Sequence, residues 1–346
     1  MICQRYSVII LASLALSSAC APKEIELDDL PRSFSDAFCD WAIGCGEFGE
    51  GDHDFCAKTV GIEWDVSTYI VTPDVLRAIE TGSVSYDGEA AFECVEAVRE
   101  ASCLESNIDN IFAAPSCKDV FSGSLEIGTL CWTDLQCESQ FCDVDYLACS
   151  MACCAGTCAP LPNAVLGQPC PTGYCIDGSI CDYDTETCVP KQVNGGPCID
   201  SYDCADGLAC LGYYEGVCSL PRNEGEFCVG EACGRMGLSC DTTTNVCVQV
   251  QHAGALCNPD IDLCGWGLGC NPSTNTCQVI GGIGTPCVDD YECGDWTLYC
   301  DIDYLTQTEG TCRQLKANGA ACTSPWECQG SKCTDGVCAP EASCVP

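Results

Sequence analysis

Apolar positions along this chain follow three successive patterns, and each predicts a different kind of structure. From Val8 to Leu16 they form a nearly unbroken run behind Arg5, followed by small residues. Such a run is too short to cross a bilayer and has the layout of an export signal, expected over residues 1–19. From Phe34 onward they recur three or four residues apart, the spacing of one helix face. From Gly128 to the C-terminus neither pattern holds, and cysteine takes over the apolar positions at a period of about thirty residues.

In the helical stretch, Phe34, Phe38 and Trp41 share a face with Cys45 next in the series, which places Trp41 in the core. Ser33 stands where a cap is needed and Gly44 or Gly46 where the helix must stop. A second helix is predicted from about Asp54 to Val60, interrupted by Gly61. The third is signalled by Thr72, Pro73 and Asp74, a capping residue followed by proline at the first helical position, and ends near Gly82. Asp87 opens a fourth, in which Ala91, Cys94, Val95 and Val98 share a face down to Cys103.

Six cysteines fall here: Cys39, Cys45, Cys56, Cys94, Cys103 and Cys117. Three bridges among them would staple helices too short to persist alone. Of the possible pairings, Cys45 with Cys56 is the one expected, because the glycine-rich loop between them can turn back sharply. The chain therefore divides into a signal over 1–19, an acidic tether over 20–31, a disulfide-stapled α-helical domain over 32–122 and an array of cysteine-rich modules over 123–346. Ser122, Gly123 and Ser124 read as the linker between the last two.

The array contains seven copies of one unit, and in each a glycine stands three residues before the first cysteine: Gly128, Gly167, Gly195, Gly225, Gly254, Gly284 and Gly319. Six units are regular. They carry Cys170, Cys175, Cys181 and Cys188, then Cys198, Cys204, Cys210 and Cys218, then Cys228, Cys233, Cys240 and Cys247. Next come Cys257, Cys264, Cys270 and Cys277, then Cys287, Cys293, Cys300 and Cys312, and finally Cys322, Cys328, Cys333 and Cys338. The third cysteine often follows a second glycine, as in Gly207–Leu–Ala–Cys210, Gly237–Leu–Ser–Cys240 and Gly267–Leu–Gly–Cys270. Turn-rich stretches such as DYDTET and NPSTNT separate the third cysteine from the fourth and predict a tight β-hairpin.

A unit of this size cannot bury enough apolar surface to fold unaided, so crosslinks must replace the core. First-with-third and second-with-fourth pairing is favoured because it pins the leading loop onto the hairpin; the other two connectivities stay open on sequence alone. The first unit departs from the rule, with Cys149, Cys153, Cys154 and Cys158 after Cys131, Cys137 and Cys142. Adjacent Cys153 and Cys154 reach different partners, because a bridge between neighbours would strain disulfide geometry.

Composition fixes the compartment. Forty cysteines in 346 residues exceed the roughly 8–10% at which an exported chain reads as a disulfide scaffold, and disulfides persist where the environment is oxidising. No C-x-x-C pair occurs and only two histidines are present, which argues against zinc clusters and thioredoxin-like redox sites. The formal charge is −38, and loss of Arg5 with the signal leaves 12 basic against 51 acidic residues, or −39. A field of that sign repels nucleic-acid phosphates and anionic lipid and keeps solvated loops soluble.

Cys20 follows the signal in L-S-S-A-C, which resembles a bacterial lipobox, with Ser17 where that family usually has leucine. The resemblance implies cleavage before Cys20, acylation of its thiol, and, with Ala21 rather than aspartate next, sorting to the outer membrane. Removing Cys3 and assigning Cys20 to lipid leaves 38 cysteines, an even number. A plain secretory signal, with release of the protein, is the alternative. The units themselves, in the arrangement G-x-x-C, C, G-L-x-C, hairpin, C over about residues 128–338, resemble the Dickkopf N-terminal type of cysteine-rich repeat as found in cysteine-rich bacterial lipoproteins. That implies an extracytoplasmic scaffold; no receptor-contact motif of the animal proteins of that name is present.

Candidate chemistry is sparse. Asp143 with Asp145, Asp182 with Asp184, and Asp301 with Asp303 follow third cysteines as D-x-D, hard oxygen donors that suit calcium, although no twelve-residue calcium loop is complete and aspartate also favours turns. An aromatic–acid–cysteine triplet recurs at Tyr202–Asp203–Cys204, Tyr291–Glu292–Cys293 and Trp326–Glu327–Cys328. Its rings are expected to pack over disulfides, with sugar stacking as the other use. His53 reads as a surface residue and His252 as part of a linker. No G-x-S-x-G, P-loop or H-E-x-x-H occurs. The sequence thus predicts a protein that is not an enzyme, needs no cofactor, and touches the membrane only through its lipid. Its expected partner is a protein or glycan at the cell envelope, bound by an elongated array. A spacer without a ligand and a secreted inhibitor-like ligand are the alternatives.

Overall fold

The computed structural model describes residues 23–61, 66, 70–104, 117–144, 154–161, 164–170, 175, 179–182, 185–199, 201–212, 216–228, 233–261, 263–288, 290, 293–294, 297–302, 310–340 and 344–345. Among these, no helix is long and apolar enough to cross a membrane.

Among the described residues, four α-helices lie in the N-terminal region: α1 (Leu30–Gly44), α2 (His53–Val60), α3 (Pro73–Glu80) and α4 (Gly88–Arg99). Two begin where the sequence says they should. The Thr72 hydroxyl accepts the Val75 N–H at 3.2 Å, and the Asp87 carboxylate accepts those of Glu89 and Ala90 at 2.9 and 3.0 Å. Gly61 closes α2 with a left-handed φ of 69°. Ser33 is not the cap of α1. A 3₁₀ turn, Leu27–Asp29, feeds the helix three residues earlier, and the Ser33 hydroxyl instead donates to the Asp29 carbonyl within the first turn. The fourth helix stops at Arg99, short of Cys103.

Leu30, Phe34, Phe38 and Trp41 from α1 meet Val75 and Ala78 from α3 and Ala91, Val95 and Val98 from α4 in one core. Three disulfides cross it: Cys39–Cys56, Cys45–Cys103 and Cys94–Cys117. The expected Cys45–Cys56 bridge is therefore corrected. Cys39, inside α1, is fully buried against equally buried Cys56, whereas Cys45 lies past the end of α1 and ties the segment after α4. The loop does turn back, but it delivers Cys56 to the middle of α1 rather than to its end.

Two short strands, β1 (Val84–Tyr86) and β2 (Phe121–Gly123), pair antiparallel beside these helices. Ser122–Ser124 is thus no free linker. Ser122 and Gly123 belong to β2, and Leu125 bridges Cys137 of the first module. A Cβ on Gly123 would lie 2.5 Å from the Cys137 carbonyl oxygen, so the helical region and the first module touch through bare backbone.

Each module is a hairpin carrying its third and last cysteines directly opposite one another: Cys142 with Cys158, Cys181 with Cys188, Cys210 with Cys218, Cys240 with Cys247, Cys270 with Cys277, Cys300 with Cys312 and Cys333 with Cys338. These partners do not bond each other. The first cysteine binds the third and the second binds the fourth, as in Cys198–Cys210 with Cys204–Cys218 and Cys228–Cys240 with Cys233–Cys247. The same pairing holds for Cys170–Cys181 with Cys175–Cys188 and for Cys257–Cys270 with Cys264–Cys277. It holds again for Cys287–Cys300 with Cys293–Cys312 and for Cys322–Cys333 with Cys328–Cys338. The first module keeps the rule by omission, joining Cys131 to Cys142 and Cys137 to Cys158. Cys154 and Cys344 are also disulfide-bonded, while Cys149 and Cys153 lie outside the described residues.

The glycine before each first cysteine has one task, repeated in all seven modules. Its φ lies between 77° and 91°, and its N–H donates to the carbonyl of the module's last cysteine at 2.7–2.8 Å. The next residue's carbonyl accepts the N–H of that same cysteine, at 2.9 Å in the Glu226–Cys247 pair. A turn with left-handed backbone at its third residue is the type II geometry, which glycine adopts without steric cost. The entering loop is thereby sewn to the hairpin by hydrogen bonds as well as by sulfur.

Candidate functional site

Part of the array folds back on the helical region. Modules four and five return to it, and modules five and six border a cleft beside α2. Arg235 bridges Leu104, the Met236 N–H donates to the Cys103 carbonyl at 3.2 Å, and the Met236 side chain enters the helical core. The Glu47 carboxylate, in the loop after α1, spans two modules: one oxygen accepts the Gly237 N–H at 2.9 Å and the other the Trp266 N–H at 2.8 Å. A Cβ on Gly237 would stand 2.1 Å from the Cys45 carbonyl oxygen, and one on Gly267 would stand 2.2 Å from Thr59 Cγ2. The glycines that precede third cysteines in these two modules therefore also admit the helical region. Near the C-terminus, the Asp74 carboxylate accepts the N–H groups of Cys344 and Val345, and Val345 is buried in the same core.

Between α2 and modules five and six lies a cleft of about 260 Å³. Phe55, Val279, Ile283 and Leu298 give it apolar walls, and Lys58 is the one cationic side chain among the described residues that line it. Of the GGIG stretch, Gly282 and Ile283 line this cleft.

In the aromatic–acid–cysteine triplet the acid has a task of its own. Tyr202 and Trp326 are 39% and 66% exposed, whereas Glu327 is buried. The acid turns inward because it accepts the N–H after the first cysteine. Asp203 takes that of Ile199 at 2.7 Å and Glu327 that of Thr323 at 3.3 Å, while Gln136 holds Trp132 at 2.8 Å in the first module. Glu327 also meets Lys316 from the preceding linker. Burial alone would raise the Glu327 carboxyl, yet hydrogen bonds from Lys316 and Thr323 hold it below the usual range, and the same contact lifts Lys316 above its own. Tyr291 and Glu292 lie outside the described residues.

Of the D-x-D candidates, Asp145, Asp184 and Asp303 lie outside the described residues, as does Cys20. Asp182 accepts the Thr185 N–H at 3.1 Å and Asp301 pairs with Arg313 at 2.8 Å, while Asp143 sits in the hairpin opposite Thr157. Asp182 thus stabilises its turn, as Asp241, its counterpart in the fourth module, does by accepting Thr243 and Thr244. Those bonds hold the Asp241 carboxyl below the usual range.

Trp41 is buried and its indole N–H donates to the Ser102 carbonyl at 3.2 Å. His252 is more than part of a linker: its Nε2 lies 3.1 Å from the Gly46 carbonyl across the interface. His53 Nε2 stands 3.9 Å from Asp36 and 3.8 Å from Asp40. Sequence reading missed Glu47, Asp36 and Asp40. The two aspartates lie at i, i+4 on a helix already predicted and were findable beside His53; Glu47 lies in a glycine-rich loop that signals only a turn.

No protein-family model matches the chain, and comparisons with curated proteins and with solved structures found no match.

Proposed function

We propose that this is a non-enzymatic, lipid-anchored protein of the cell envelope or surface, which presents its disulfide-built modules to a protein or glycan ligand. The observation that carries the reading is the repetition of one four-sulfur centre seven times, each made of buried or half-buried cystine. Such a scaffold is sustained only in an oxidising compartment, in keeping with a signal-like N-terminus and the lipobox-like Cys20. The spacing of the units resembles Dickkopf-type repeats, which supports an extracytoplasmic scaffold. The return of modules four and five to the helical region disfavours the spacer reading, because a stalk gains nothing from folding back on its base.

Capture from native envelopes with the oxidised chain tests binding. A specific protein or glycan retained by the oxidised form and lost on reduction is the expected result, and equal recovery by both forms contradicts it. Anchoring is tested separately, by mass spectrometry of the mature amino terminus. Acylated Cys20 is expected, and a released protein starting elsewhere overturns that part alone.

A further inference from the structure

The tether expected over residues 20–31 is shorter than its composition predicts. From Lys23 onward the chain is already packed: the Ile25 N–H donates to the Gly88 carbonyl at 3.0 Å, and the Tyr86 hydroxyl donates to the Ile25 carbonyl at 2.7 Å. A Cβ on Gly88 would stand 2.7 Å from that same carbonyl oxygen, so only glycine lets the two segments approach. Ile25 and Leu27 pack against the helical core, the Lys23 ammonium lies 4.8 Å from the centre of the Phe92 ring, and the 3₁₀ turn Leu27–Asp29 runs directly into α1. Only Ala21 and Pro22 separate this docked segment from Cys20.

Two contacts identify the ends of the helical region. Ile25 meets Gly88 where α1 and α4 begin, and Asp40 meets Arg99 at 2.9 Å where α4 stops, so these two helices run side by side in the same direction. Modules four and five dock at the second end, on Glu47 and Cys103. We infer, resting on the reading that Cys20 carries the lipid, that the first end, around Lys23, Glu89 and Phe92, lies against a phospholipid surface while the other end holds the returning modules. Three residues span at most about 11 Å, and each headgroup layer is about 5–8 Å deep. Lys23 therefore stays within a few ångströms of the headgroups once Cys20 is acylated. Charge selects the lipid: over residues 23–29 and 87–93, seven carboxylates stand against Lys23 alone. Burial first, and then the charges of Glu26, Asp87 and Asp29, push the Tyr86 hydroxyl up to about 12, in keeping with that negative field. Such an end is repelled by anionic headgroups and suits the exposed ammonium of a zwitterionic lipid such as phosphatidylethanolamine.

The test uses the acylated full chain, oxidised and reconstituted in vesicles of phosphatidylethanolamine and phosphatidylcholine, with part of the latter carrying a nitroxide on its headgroup. Phe92→Trp places a quenchable ring at the inferred contact, and Glu89→Trp, at an exposed position beside it, is a second reporter that leaves the packing alone. The wild type, whose Trp266 lies at the far end, is the baseline. The emission added by either replacement should fall by more than half when the nitroxide is present. A flexible insert of about twelve Gly and Ser residues between Pro22 and Lys23 adds about 20 Å of root-mean-square reach and should restore most of it. Exchanging phosphatidylethanolamine for phosphatidylglycerol at low salt should weaken the quenching, and added salt should recover it. Stronger quenching on phosphatidylglycerol would overturn the choice of lipid. Quenching no greater than the baseline in protein shown by mass spectrometry to be acylated at Cys20, or quenching indifferent to the insert, would overturn the contact and leave the lipid-anchor reading standing. A mature chain without an acylated Cys20 would overturn both.

Discussion

Helices and modules are both laced with disulfides, but sulfur does different work in each. In the helical region Phe34, Phe38, Trp41 and their neighbours already exclude water, and Cys39, Cys56 and Cys94 are absorbed into that core as small apolar residues. In module four the buried cluster among the described residues is Cys228, Cys233, Cys240 and Cys247 with Leu238 packed against it, and module three repeats this with Leu208. Apolar side chains that a core would claim stay outside: Phe227, Ile199 and Leu256 are exposed. One region would retain a reason to be compact without its bridges, and the other would not.

Reduction should separate them most strongly. With dithiothreitol at neutral pH, limited proteolysis is expected to cut throughout residues 128–338 while fragments covering Leu30 to Arg99 persist, with much of the helical circular dichroism retained. Modules that resist protease after complete reduction would break the comparison. Point changes sharpen it. Phe38→Ala empties the centre of the helical core, where Phe38 is fully buried, and should cost about 3–5 kcal/mol. Replacing both Cys204 and Cys218 by Ala releases a loop with a sequence separation of 14, worth about 3 kcal/mol. Amide exchange should then rise across module three. If exchange in module six rose equally, the modules would not be independent units.

Much of this was readable before any coordinates. Thr72 and Asp87 announce their helices because capping is local chemistry, and seven glycines ahead of seven cysteines disclose the repeat because one backbone turn demands them. The interlaced pairing was favoured by the same local logic. What could not be read was non-local. Cys45 prefers Cys103 to Cys56 because of where α1 points its sides, and periodicity gives faces but not neighbours. The return of modules four and five was missed for a similar reason. Met236, Gly237 and Trp266 carry no mark that distinguishes a residue docked on helices from one in solvent.

That docking offers an intermediate effect. Glu47→Ala leaves the Gly237 and Trp266 N–H groups without their shared acceptor, at about 1.5–3 kcal/mol for hydrogen bonds to a charged group. Faster exchange at those two amides is expected, with little change inside the helical core or at the hairpin of module seven. Uniform loosening of the whole chain would mean that helices and modules fold as one cooperative unit rather than as two kinds of structure in contact.

The smallest effect expected concerns how modules are joined to each other. Glu327 closes module seven onto the linker through Lys316 and Thr323. Its carboxyl is held below the ordinary range, so the stabilisation is fully present above the unfolded value of about 4.3 and disappears as pH falls through the lower folded value. Lys316 is raised, so its share is present below about 10.4 and disappears only as pH rises through the higher folded value. Both are charged from about pH 5 to 10, the window of greatest stability for this junction. Lys316 is a third exposed, and screening by solvent limits the gain to below about 1 kcal/mol. Glu327→Gln keeps an acceptor for Thr323 but discards the charge. Against wild type, it should flatten the acid limb of amide-exchange stability in module seven and leave module three, whose Asp203 accepts the Ile199 N–H, unaltered. A mutant whose acid limb overlaid that of the wild type would show the junction to be held by its disulfides and backbone bonds alone.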